Sequence, residues 1–143
     1  MVSTDKTSGL KLAFGMIVFN GNYVLEECLK QVYPYATQIL IAEGPVKHFQ
    51  DLGHTTSTDG TNDILNNFPD PENKIKIVHG QFSEKDEQVN AYMKFLRTDI
   101  DYIFNLDSDE VWKGEDIEEL CELLAKEQYT SVGVRSASFY GAI

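Results

Sequence analysis

Tyr102-Ile103-Phe104-Asn105-Leu106-Asp107-Ser108-Asp109-Glu110 is an apolar run that ends abruptly in three carboxylates. A run of this kind lies buried in a sheet, and its acids are then held at the rim of a core. Unpaired carboxylates are costly to bury, so acids crowded at a strand end need water or a cation. Side chains at i and i+2 of a chain leaving its strand can turn toward one point, and their hard oxygens suit Mg²⁺ or Mn²⁺. Taken alone, Asp107-Ser108-Asp109 is read equally well as a polar turn that caps the next helix.

Working outward, the remaining segments alternate between strand and helix. Leu10 to Phe19 is a near-continuous apolar run suited to a strand covered on both faces, and Asn20-Gly21-Asn22 breaks it. Leu25, Cys28, Leu29 and Val32 then form a helical stripe that Pro34 stops. Gln38 to Glu43 is a second strand, again ending in an acid, and Gly44 to Thr56 reads as a loop.

Ser57-Thr58-Asp59-Gly60-Thr61 opens a further helix with Ile64, Leu65 and Phe68 facing inward, and Pro69-Asp70-Pro71 closes it. Lys74 to His79 alternates like a strand near an edge. Ser83, with Asp86 three residues on, predicts the start of a helix whose stripe is Val89, Tyr92, Met93 and Leu96. Asp101 to Leu106 is the fourth strand, Glu115 to Glu127 a helix with Ile117, Leu120, Cys121 and Leu124 facing inward, and Tyr129 to Phe139 a fifth strand.

This alternation predicts an α/β fold, a mostly parallel sheet between helices. Ligands in such sheets bind at the carboxyl ends of the strands, where Asn20, Gly21, Glu43, His79, Gly80 and Asp107 to Glu110 fall. Residues 1–9 are polar and expected to fray, leaving one domain over residues 10–143.

The composition is 42% hydrophobic and 24% charged, ordinary for a globular domain. The most apolar segment, Leu12 to Phe19, is too short to span a bilayer, so a cytoplasmic protein without a membrane span is expected. Cys28 and Cys121 fall on apolar helix faces and read as buried free thiols. A formal net charge of −11 argues against nucleic acid as a partner. An anionic ligand would need its charge met by something other than Lys and Arg, a second reason to expect a cation at Asp107 to Asp109.

The first strand is not followed by a dinucleotide-binding glycine pattern or a P-loop, and the acidic pair of a phosphoacceptor receiver is absent. The chain resembles instead the glycosyltransferases of GT-A fold, family 2 type. The likeness lies in the first strand with its Asn-containing turn, in Ser57-Thr58-Asp59-Gly60-Thr61, and in Asp107-Ser108-Asp109, and it spans residues 10 to 112. In the family the strand-end acid and the Ser-Thr-Asp-Gly-Thr segment are contiguous; here Gly44 to Thr56 separates Glu43 from Ser57.

The resemblance implies a Rossmann-like GT-A domain that binds a nucleoside-diphosphate sugar, a UDP-sugar by the base contact below, and passes the sugar to an unknown acceptor. By similarity Phe19 and Asn20 border the base, Glu43 accepts from a base N–H such as that of uracil, and Lys85 lies near base or phosphate. Asp107, with Ser108 beside it, holds the ribose, and Asp109 together with Asp107 binds Mn²⁺ or Mg²⁺. Family members take their base and most acceptor contacts from segments after the fifth strand, and this chain stops at Ile143, so most of the acceptor half is expected to be missing. The competing expectation is a nucleotide-sugar-binding or interaction module without transfer activity; a related nucleotidyltransferase would need a Gly-rich loop with Arg after the first strand, and that is absent.

The bland readings stand beside these. Asp59 is a helix N-cap or a ligand contact, Glu43 a ligand contact or a turn acid, and Lys85 a binding or a solvated residue. His48, Asp51 and His54 read as surface residues, His79 as a strand-boundary residue, and Trp112 as packing under the following helix.

Overall fold

The computed structural model describes residues 5–126 and 132–133. Four strands, β1 (Leu12–Val18), β2 (Gln38–Glu43), β3 (Ile75–His79) and β4 (Tyr102–Asp107), form one parallel sheet in the order β3-β2-β1-β4. The two central strands are the most apolar ones. Every residue of β2 and all but one of β1 are buried, whereas β3, on an edge, has none buried and leaves Lys76 and His79 exposed.

The pleat divides each strand between two cores. Leu12, Phe14, Met16, Ile39 and Ile41 belong to a core completed by helices α1 (Leu25–Val32), α3 (Thr61–Asn67) and α5 (Gly114–Lys126). Leu40 and Ala42 face the other way, packing with Tyr92 of α4 (Lys85–Met93) and with Phe82. Covering both faces is why the central strands read as continuous rather than alternating runs. Gly15 serves that packing: a Cβ there would lie 2.6 Å from the Tyr92 ring, whose hydroxyl donates to Asn105 Oδ1 at 2.8 Å.

Several local expectations change. Gly44 to Thr56 is not all loop; it holds a short helix, α2 (Lys47–Asp51). Pro34 does not end the chain's turning outright but sits in a 3₁₀ turn, Tyr33–Tyr35, that extends α1. Gly60, at φ 94°, occupies the N-cap position of α3, so Asp59 acts from one residue earlier, accepting from the N–H of Thr61 at 3.0 Å. Ser83 does not cap α4 either, for the cap position is Glu84, and Ser83 donates through both N–H and hydroxyl to Glu87. Leu120 is half-buried, while Ile117, Cys121 and Leu124 face the core as expected. Residues 5–10 form a turn in which the Leu10 N–H donates to the Thr7 carbonyl at 3.0 Å. The fifth strand expected at Tyr129 to Phe139 lies outside the described residues.

Candidate functional site

β1 ends at Val18 beside Glu43 of β2, and Ile17 lies beside Asp107 of β4. Because β1 stands between β2 and β4, the segments leaving those two strands rise on opposite sides of it. A cavity of about 490 Å³ opens there, within the range of roughly 300–1,000 Å³ that holds small ligands.

Its floor is the end of β1 and the following loop, from Ile17 to Gly21, with Tyr23 beyond. Three successive backbone N–H groups of that loop are held by side chains of the Ser57–Thr61 segment. Asn20 donates to Ser57 Oγ at 3.0 Å, Gly21 to Thr61 Oγ1 at 3.0 Å, and Asn22 to Asp59 Oδ2 at 3.1 Å. In return Asn20 Oδ1 accepts from the Thr58 N–H at 2.7 Å, and Asn22 Nδ2 donates to the Asp59 carbonyl at 2.6 Å. Asn20 itself has φ 48°, a left-handed conformation that Asn tolerates better than most residues. Burial works against the Asp59 charge, but the donors from Thr61 and Asn22 outweigh it and hold the carboxyl below its ordinary range.

One wall is acidic. Asp107, Ser108 and Asp109 line it, on a turn closed by the Glu110 N–H donating to the Asp107 carbonyl at 3.0 Å. Gly21 lets this turn approach the floor, since a Cβ there would meet Ser108 Oγ at 2.5 Å. Burial, then the charges of Asp107 and Asp109, push the Glu110 carboxyl up. Lys85, at the start of α4, is the basic residue lining the cavity among the described residues, with Gln88 next to it. The Gln88 amide is already spent on the carbonyls of Ala42 and Gly44.

The opposite wall is apolar, built by Gly44, Val46 and Phe49. Phe49 belongs to α2 and packs on Phe19 with ring centroids 5.0 Å apart, while His54 meets Phe19 edge-on at 5.4 Å. Phe49, Val46 and Tyr23 were not visible as site residues in the sequence, where the only signal was an aromatic residue in an apparent loop.

Glu43 is not on the cavity wall. It is 1% exposed, and its carboxylate accepts from Ser57 N–H at 2.9 Å, Ser57 Oγ at 2.8 Å and Thr56 Oγ1 at 3.1 Å, with His79 Nδ1 at 2.9 Å. Burial raises its pKa, yet the hydrogen bonds from His79, Ser57 and Thr56 more than offset that and leave it lowered. His79 is therefore more than a strand-boundary residue, because it closes this buried cluster from the β3 side. Trp112 packs on Phe104, centroids 5.7 Å apart, and Asp51 pairs with Lys47.

The structure thus brings Phe19, Asn20, Lys85, Asp107, Ser108 and Asp109 to one cavity and leaves Glu43 behind it. Among the described residues no group of three or more His, Cys, Asp or Glu side chains is placed to cage a metal. Asp107 and Asp109, which line the cavity from one turn, offer the hard oxygen donors that Mg²⁺ or Mn²⁺ take alongside water and ligand oxygens.

The sequence profile described as glycosyl transferase family 2 matches residues 55–142. No curated protein matches the chain. Among solved structures, that of S. aureus TarS 1-349 is similar, with a TM-score of 0.60 at 14% identity over 89% of this chain. That likeness is one of fold, and the chain spans 39% of the length of the TarS chain. Among the described residues no helix is long and apolar enough to cross a membrane.

Proposed function

The chain belongs to glycosyl transferase family 2, and we propose on that footing that it binds a nucleoside-diphosphate sugar over the end of β1 and takes part in transfer of the sugar to an acceptor. The observation that carries this reading is the two-sided cavity, acidic along Asp107 to Asp109 and apolar along Val46 and Phe49. A ligand that satisfies both walls has a planar apolar end and an anionic end that arrives with a cation. A nucleoside diphosphate has both.

In this reading Asp109, with Asp107, would hold Mn²⁺ or Mg²⁺, and the ion would supply positive charge to the donor's diphosphate. When bound, the ion neutralises the charge that grows on the leaving nucleoside diphosphate as the sugar–phosphate bond breaks. The chain's own groups do the positioning. Asp107 and Ser108 take the ribose hydroxyls, Lys85 meets a phosphate oxygen, and Phe19 and Asn20 border the base. Ser57, Asp59 and Thr61 do not touch the donor; they fix the loop on which it rests. The uridine assignment depended on Glu43 reaching a base N–H, and a carboxylate already engaged by Ser57, Thr56 and His79 gives it no support.

Melting of the 143-residue chain with a panel of nucleoside-diphosphate sugars, with and without Mn²⁺, tests the proposal. Donor and Mn²⁺ together are expected to raise the melting temperature well beyond either alone, since a ligand at a hundredfold excess over its Kd stabilises by about 2.7 kcal/mol. No rise with any donor in the presence of Mn²⁺ would refute it.

A further inference from the structure

Phe49 sits in a costly place for an aromatic residue. It is 38% exposed, on a five-residue helix that buries none of its residues, yet it lines the cavity. The helix is nonetheless held firmly. Gly44 N–H donates to the Val18 carbonyl at 3.0 Å, Phe82 N–H to the Pro45 carbonyl at 3.1 Å, and Gln50 Nε2 to the carbonyls of both Pro45 and Phe82 at 3.0 and 2.7 Å. Val46 pairs with Phe82 as an isolated bridge next to the sheet. Phe19, in contact at 5.0 Å, fixes the ring from another side. An aromatic ring that is immobilised, partly open to water and set in a cavity wall is a stacking surface whose entropy cost is already met.

We propose that Phe49 stacks on the nucleobase of the donor, so that the segment Gly44 to Thr56 supplies the base platform and the base is held by its face rather than by a carboxylate at its edge. This rests on the donor reading given above. Two observations beyond the exposed ring point to a base as the occupant. The cavity's charged lining residues, Asp107, Asp109 and Lys85, stand apart from the apolar wall of Gly44, Val46 and Phe49, and on the donor reading they meet the diphosphate while that wall is left for the uncharged planar end of the same molecule. Glu43, the carboxylate nearest in sequence to this wall, is sequestered with Ser57, Thr56 and His79. Stacking is tolerant of base identity because every base has a π-face, so several nucleotides are expected to bind with comparable strength.

The test compares UDP, ADP and GDP with inorganic pyrophosphate, each with Mn²⁺, on the wild-type chain and on Phe49→Ala, by calorimetry. The expected result is a loss of about tenfold or more for all three nucleotides and unchanged affinity for pyrophosphate, which has no base. Phe49→Leu keeps an apolar contact with Phe19 without a π-face; it is expected to show the same split, and it serves if the alanine variant does not fold. Leu52→Ala, on the segment just after α2 and 66% exposed, should leave all four affinities unchanged. Nucleotide binding that ignores Phe49, or a loss shared equally by pyrophosphate, would overturn the stacking proposal while leaving the donor reading intact. Failure of the wild-type chain to bind any of the nucleotides would instead remove the donor reading, and the stacking proposal with it.

Discussion

A carboxylate that is 1% exposed stays ionised only if its oxygens are paired, and Glu43 meets that condition through Ser57, Thr56 and His79. Ser57 Oγ in turn accepts from the Asn20 N–H, so the buried charge is linked to the cavity floor by a single hydroxyl. Glu43→Gln keeps the shape but replaces one acceptor oxygen by an amide that faces donors. It is expected to cost about 2 kcal/mol at neutral pH, the scale of hydrogen bonds to a charged group. The pH dependence follows from the lowered folded pKa. The contribution of Glu43 is full above the unfolded value of about 4.5 and is lost as pH falls through the folded value beneath it. Urea unfolding of wild type and Glu43→Gln at pH 7 and pH 3 should therefore show a gap that narrows in acid. A gap of the same size at both pH values would mean that the ionised carboxylate is not what holds the cluster.

At the scale of elements, α2 depends on one glycine. Gly44 has φ 146°, and a Cβ there would lie 1.8 Å from the Gly80 carbonyl oxygen, a backbone atom that cannot swing aside. Gly44→Ala should cost roughly 3 kcal/mol or more through strain and backbone displacement together. The damage should centre on the departure of Gly44 to Thr56 from the sheet, read as faster hydrogen exchange at the Phe82 amide, which donates to Pro45. Full protection of that amide in the variant would contradict the account. The same element marks how far the sequence could be read. β2 and α1 were legible to within a residue or so, because burial on both faces and a four-residue apolar stripe leave strong periodic signals. α2 buries nothing and so leaves no stripe, and its aromatic wall was invisible. Asp107 to Asp109 could be placed at a strand end because an apolar run must stop somewhere, and the stop was acidic. What Ser57, Asp59 and Thr61 do could not be read, since their partners are backbone N–H groups more than thirty residues away in sequence.

For the molecule as a whole, the formal charge of −11 sets the terms on which an anion can bind. Asp107, Asp109 and Glu110 add to that field at one strand end, where burial first, and then the charges of Asp107 and Asp109, push the Glu110 carboxyl up. Acids grouped at a cavity rim serve either a ligand site or the turn that carries them. Asp109→Asn separates the two, because a neutral amide keeps the size of the side chain while removing one of the crowded charges. Without ligand the variant should be as stable as the wild type, or up to about 1 kcal/mol more stable, through relief of like-charge repulsion. With Mn²⁺ and a nucleoside diphosphate it should lose most of the rise in melting temperature that the wild-type chain gains. Melting curves of both proteins, alone and with both ligands, separate the alternatives. If the acids merely cap the turn before α5, Asp109→Asn should melt lower and its response to ligand should match that of the wild type. Higher or equal intrinsic stability, joined to loss of the Mn²⁺-dependent gain, is the pattern required if this acidic chain holds its phosphorylated ligand through a cation.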